Sequence, residues 1–213
     1  MSTLTHVYSR VHNRGIPPQS FIDTLIAWAR TADKEIFSEA YRGTEPDIYD
    51  DLREHHPAIA GMDRRAAMCE VLRVLAGFEA SWDWTEGRDV TNASSNRPET
   101  TEAGIFQVSG NSLVFSPTLQ ACFLRHGGRL VNGKPDYMLF QKLMKENKTL
   151  ALEYAARLLR FTIRHNGPVM RAEIYPWMHA AAVAEFESAL APSDMGRSDI
   201  AGGLSKLDDL LAE

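Results

Sequence analysis

The stretch VLAGFEASWDWTEGRDVTN, Val74 to Asn92, ends an apolar run with a glutamate and follows it with two tryptophans and a cluster of acids. Glu79 lies four residues after Leu75, seven after Leu72 and eight after Val71, so on a helix it shares their face. At the C-terminal end of that helix the macrodipole disfavours an anion, and burial penalises the charged form as well. Both effects raise the carboxyl pKa. A carboxylic acid still protonated near neutral pH is what general acid catalysis requires. The competing reading is a structural ion pair with Arg73 or Arg88. Trp82 and Trp84 offer aromatic faces that stack on sugars and an indole N–H donor, against the alternative that they pack in the core.

A general acid commonly works with a second group that acts as base. Candidates in or near the polar loop are Asp83, Glu86, Asp89, Glu99 and Glu102. Asp89, in the hydrogen-bonding loop GRDVTN, ranks first, and Glu102, two residues before Gly104, ranks second; each competes with a solvated surface role. Asp83, Glu86, Asp89, Thr91 and Asn92 also supply hard oxygen ligands of the kind calcium prefers, without the spacing of an EF-hand. Apart from that calcium option the chain calls for no metal or cofactor. Its histidines form no zinc pattern, and neither a GxSxG elbow nor a phosphate-binding GxxxxGK[ST] loop is present.

The elements that must position these groups are mostly helices. Phe21, Ile22, Leu25, Ile26, Trp28 and Ala29 recur at helical spacing after Ser20, a candidate N-cap. Asp63 caps a second helix carrying Ala67, Met68, Val71, Leu72, Leu75 and Ala76 on one face. Residues 87–98 have no helical period and read as a loop, GIFQVS is extended or opens a helix, and the Asn-Gly of RLVNGKP is a hairpin signal. Helical pattern returns over 137–146 and 148–165. HNGP, His165 to Pro168, reads as its stop, with Gly167 in the left-handed position after the helix. Pro176 starts a further helix to about Leu190.

The chain therefore reads as a mainly α protein, a single helical domain with a long polar groove loop and little β structure. Residues 1–14 read as an extension, 15–192 as the domain, and 193–213 as a mobile tail with a short amphipathic end at Leu204, Leu207 and Leu211. The 213 residues suffice for one domain with a real core, and the net charge of −5 argues against nucleic acid as the main partner. No apolar run is long enough to span a bilayer, and the first residues lack a signal-peptide core. The expectation is a protein made in the cytoplasm that does not use the general secretory route. Cys69 and Cys122 read as two small core residues, with a bridge open only outside the cytoplasm.

Three elements in order, FEAS, then AGIFQVS, then RHNGP, give the chain a likeness: it resembles the lysozyme-like superfamily, closest to goose-type lysozymes and soluble lytic transglycosylases. The likeness covers about residues 67–169. AGIFQVS matches the family's Gly-aliphatic-Phe-Gln segment well, whereas RHNGP has His165 where a tyrosine is usual and lacks an alanine. The resemblance implies cleavage of the β-1,4 bond between N-acetylmuramic acid and N-acetylglucosamine in peptidoglycan, with Glu79 protonating the leaving oxygen. It implies a sugar site lined by Ser81, Trp82, Gln107, Ser109, His165 and Asn166. The acid that follows Gln-Val in goose-type enzymes is replaced here by Ser109, so that role does not carry over. A lytic transglycosylase, which needs one carboxylate and leaves 1,6-anhydro ends, is one alternative. A lysozyme-like module that binds the wall without cutting it is another. Without an export signal, the resemblance points to a toxin delivered into a rival cell by a type VI secretion machine, or to an endolysin released by a holin. Such a toxin is expected to have an immunity protein that plugs its groove.

Overall fold

In the computed structural model, residues 4–39, 46–88 and 96–192 are described. The apolar spacing after Pro17 becomes α1 (Gln19–Thr31), whose Phe21, Ile22, Leu25, Ile26, Trp28 and Ala29 are all buried. The helix is entered from Pro18, not Ser20. Pro18 is extended and its carbonyl accepts from the Phe21 amide at 3.0 Å, so Ser20 sits inside the first turn. Two short helices, α2 (Ile48–His55) and α3 (Pro57–Ala60), lead into α4 (Arg64–Ala80). Asp63 caps α4 as expected, accepting from the Ala66 amide at 2.8 Å.

Every residue of α4 from Ala66 to Gly77 is buried. The helix is therefore surrounded on all sides, rather than laid on the core by one stripe. It packs against α1, α7 (Lys148–Phe161) and α9 (Ala180–Leu190), around one continuous core. Between them come α5 (Pro117–Arg125), α6 (Tyr137–Glu146) and α8 (Gly167–Met170). Two antiparallel strand pairs complete the architecture: β1 (Glu102–Ala103) with β2 (Val108–Ser109), and β3 (Leu130–Val131) with β4 (Lys134–Pro135). The Asn-Gly hairpin forms in the second pair, with Asn132 and Gly133 both at positive φ (51° and 75°). The chain is a mostly helical single domain with little β structure, as its periodicity implied. No described helix is long and apolar enough to cross a membrane. Cys69 and Cys122 are free and buried.

Two boundaries differ from expectation. The helix α7 ends at Phe161, and Gly167 and Pro168 begin α8 instead of terminating α7. Proline suits the first helical turn, where its missing N–H is not needed. Likewise Pro176 lies in a 3₁₀ turn, Tyr175–Trp177, and α9 starts only at Ala180.

The larger correction concerns residues 1–14. From residue 4 on they are part of the domain, because Val7 and Val11 are fully buried in its core. A side chain of that size contributes about 1.5–3 kcal/mol when it leaves water. Polar ties add to this. The carboxylate of Glu185 on α9 accepts the backbone N–H groups of Thr5, His6 and Val7 at 2.8–3.0 Å. Arg73 on α4 donates to the Ser9 carbonyl at 3.0 Å. The segment is thus a strap lying across α4 and α9. The expected tail, 193–213, lies outside the described residues.

A buried ion pair holds this arrangement together. Glu70 and Arg73, both inaccessible to solvent, form a two-point pair (2.7 Å at each contact). Arg73 also donates to the Trp177 carbonyl at 3.0 Å, and Glu70 accepts from the His179 amide at 2.8 Å. Each charge is therefore compensated by hydrogen bonds, the condition under which a buried pair is tolerated.

Candidate active site

Glu79 is delivered to the surface by the last turn of α4. The helix ends abruptly there, because Ser81 (φ 50°) and Trp82 (φ 62°) both take left-handed conformations. Their amides fold back onto the carbonyls of Gly77 and Ala76, each at 3.1 Å. Two consecutive non-glycine residues in this region cost energy that the surrounding packing must offset. That packing is visible. Trp82 is 5% exposed, and its indole N–H donates to the Arg73 carbonyl at 3.0 Å. Its ring also lies so close to Gly77 that a Cβ there would fall 2.8 Å from it.

Glu79 lines a cleft of about 690 Å³ together with Arg14, Phe78, Glu86, Glu102, Gln107 and His165. Arg88, Gly167, Pro168, Arg171 and Glu173 complete its walls. The Glu79 carboxyl makes no hydrogen bond or salt bridge among the described residues. Burial, and then the negative charge of Glu102, push its pKa up to about 8, against the weaker opposing pull of Arg171 and Arg14. The structural ion pair with Arg73 is excluded, since that guanidinium belongs to Glu70. At neutral pH Glu79 is largely a neutral acid at the wall of this cleft.

The opposite wall comes from the β1–β2 hairpin. Glu102 lies on β1, paired with Ser109. The turn between the strands is tight. Gly104 has φ 72°, and a Cβ there would meet the Met144 carbonyl at 2.5 Å, so no other residue fits. Gln107 itself has φ 45°. Its backbone N–H and its side-chain amide both donate to the Gly104 carbonyl (3.0 and 2.9 Å), which fixes the side chain at the cleft. At the far end His165 lines the cleft, edge-on to Phe115 at 5.4 Å between ring centres, and burial lowers its pKa. The imidazole is therefore mainly neutral.

Of the sequence candidates, Glu79, Glu86, Glu102, Gln107 and His165 come together. Asp89 lies outside the described residues. Trp82 is a core residue for the reasons given, and Trp84 packs on Phe21 with Lys148 over its face. Ser81 is exposed at the helix end but is not among the cleft-lining residues. Ser109 is buried, its hydroxyl bonded to Asn111 at 2.7 Å. Asn166 is 3% exposed and lies behind the Gly167–Pro168 wall, its amide nitrogen without a hydrogen-bond partner. Sequence reasoning missed Arg14, Phe78, Arg171 and Glu173. Only the spacing of Arg171 and Glu173, which pair bidentately at 2.8 and 3.0 Å, carried a local signal.

Among the described residues, two groups bring enough ligand atoms together for a metal. They are Cys122 with His126 and Glu153, and Asp51 with Glu54 and His55. In the first, Glu153 already accepts from Arg125, His126 and Arg157, so its charge is spent on cations. In the second, Asp51 accepts from the Tyr175 hydroxyl. Of the calcium candidates, Asp83 accepts from the Thr85 amide and hydroxyl, both at 2.8 Å, and Glu86 lines the cleft. Asp89, Thr91 and Asn92 lie outside the described residues.

No protein-family model, no curated protein and no solved structure matches this chain.

Proposed function

We propose that the chain is a peptidoglycan glycosidase, a muramidase in which Glu79 is the general acid. The observation that carries this reading is an unpartnered carboxyl, held protonated by burial and by Glu102, at the wall of an open cleft. In the reaction Glu79 gives its proton to the glycosidic oxygen between N-acetylmuramic acid and N-acetylglucosamine as the C–O bond breaks. Glu102, the cleft-lining carboxylate whose charge acts most on Glu79, takes the base role: it removes a proton from the attacking water. Gln107 and His165 offer polar edges for the acetamido and hydroxyl groups of the sugars. The wall-degrading reading supposes delivery to the periplasm by a secretion machine or a holin, and an immunity protein that occupies this cleft.

The test is digestion of purified Gram-negative peptidoglycan by wild type and by Glu79→Gln, with products read by mass spectrometry. The expected products are muropeptides with ordinary reducing ends, absent with the variant. Fragments lighter by one water mean 1,6-anhydro ends and a one-carboxylate transglycosylase. No soluble product from folded wild type, with or without added calcium, removes the enzyme reading in favour of a wall-binding module.

A further inference from the structure

The cleft contains a cation that the acid chemistry does not need. Arg14 stands in a tight loop closed by the bridge between Val11 and Gly15, where the Val11 amide donates to the Gly15 carbonyl at 2.8 Å and the Arg14 amide to the Val11 carbonyl at 2.9 Å. The loop is fixed from both sides. Upstream, Ser9 is tied to Arg73, and Val11 packs against Gly77, two residues from Glu79. Within the loop His12, at φ 43°, stacks on Phe78 with 5.5 Å between ring centres and stands edge-on to Trp177. The backbone that carries Arg14 is therefore rigid, and strained at His12.

The side chain it presents has no counterpart. Arg171 on the same cleft is held by Glu173 through two hydrogen bonds. Arg14 is exposed, lines the cleft and makes no salt bridge among the described residues. A guanidinium on a fixed loop, open to solvent beside the reacting acid, is arranged to receive an anion. Its planar fork matches a carboxylate.

We infer that Arg14 is a specificity-determining residue that binds a carboxylate carried by the substrate glycan. This inference rests on the glycosidase reading and narrows it. The substrate is a polyanionic strand whose peptide carboxylates dock beside Glu79, and a neutral glycan of the same backbone is a poorer one.

The experiment compares two forms of the same peptidoglycan strands. Both have their amines acetylated; in one the carboxylates are free, in the other they are converted to methylamides. The readout is the ratio of kcat/KM for the charged over the neutral form. Wild type is expected to favour the charged strands by about fivefold, the size of a partly exposed charge-assisted contact. The preference shrinks as salt is raised. In Arg14→Ala most of the preference is lost, the remainder being what the cleft-lining Arg88 supplies, and Arg14→Lys keeps part of it. Taking a ratio cancels any effect of Arg14 on the acidity of Glu79, which is common to both substrates. Equal cutting of the two forms by wild type overturns the inference, and so does a preference that is undiminished in Arg14→Ala. Failure of folded wild type to cut either form removes the glycosidase reading, and the inference with it.

Discussion

Trp82 returns its indole N–H to the carbonyl of Arg73, nine residues earlier, so the chain folds back along α4 immediately after Glu79. The acid is positioned by this backfold, not by contacts of its own. The tryptophan that sequence placed in the sugar site supports the site from behind.

Replacing Trp82 should therefore act on stability and not on substrate affinity. Trp82→Ala is expected to cost about 3–5 kcal/mol, and Trp82→Phe, which loses the indole donor but keeps most of the packing, about 1–2 kcal/mol. Urea unfolding measures both. KM of Trp82→Phe on peptidoglycan should match wild type, and a severalfold rise would return the ring to the cleft.

Glu79 should destabilise the protein at the pH where it works. Its folded-state pKa, about 8, lies above the ordinary carboxylate value of 4.5. Between these values the folded state binds more protons than the unfolded chain, so stability falls as pH rises through that window. Glu79→Gln removes this penalty. Its advantage over wild type should be small at pH 5 and grow to the order of 2 kcal/mol at pH 8. A difference in melting temperature that stays flat over this range would falsify the raised pKa.

Activity should follow the protonated acid and decline as pH rises through about 8. Glu102 is one cause of the elevation, so Glu102→Gln moves this alkaline limb to lower pH. If Glu102 is also the base that activates water, the maximal rate falls by about 10²–10⁴ as well. A shifted limb with an undiminished rate assigns Glu102 to electrostatics alone.

Breaking the pair under the site should be costly. Arg73→Leu leaves the Glu70 carboxylate buried without its cation, an expected loss of about 3–5 kcal/mol. The double variant Glu70→Leu/Arg73→Leu should lose less than the sum of the single ones, because neither charge is left stranded. Additive losses in urea unfolding would mean that the two side chains act independently, mainly through their backbone contacts.

The helices were legible because periodicity reports burial directly. Asp63, the apolar positions of α1 and α4, and the Asn132–Gly133 turn all stand where spacing and turn chemistry put them. Glu79 was legible for the same reason, since a carboxylate in register with Leu72 and Leu75 breaks a pattern. The opposite wall was legible in part, through the Gly104–Gln107 motif. Arg14 was not. Its place depends on backbone ties to Glu185 and Arg73, residues more than fifty positions away, and backbone hydrogen bonds leave no trace in side-chain periodicity. Trp82 and Asn166 were misplaced because residue type alone does not distinguish a ring or amide behind a wall from one on its face.

The strap carries a consequence for the order in which the molecule is made. Its late anchors, Glu185 on the amides of Thr5, His6 and Val7 and Trp177 edge-on to His12, belong to the last part of the described chain, while Arg14 is near the beginning. A ribosome adding about 5–20 residues per second completes α4 and the β1–β2 hairpin seconds before α9 exists to fasten the strap. Until then the wall bearing Arg14 is held only by its contacts with α4, and the nascent chain has no finished cleft. Completion of the site is thereby coupled to the appearance of α9.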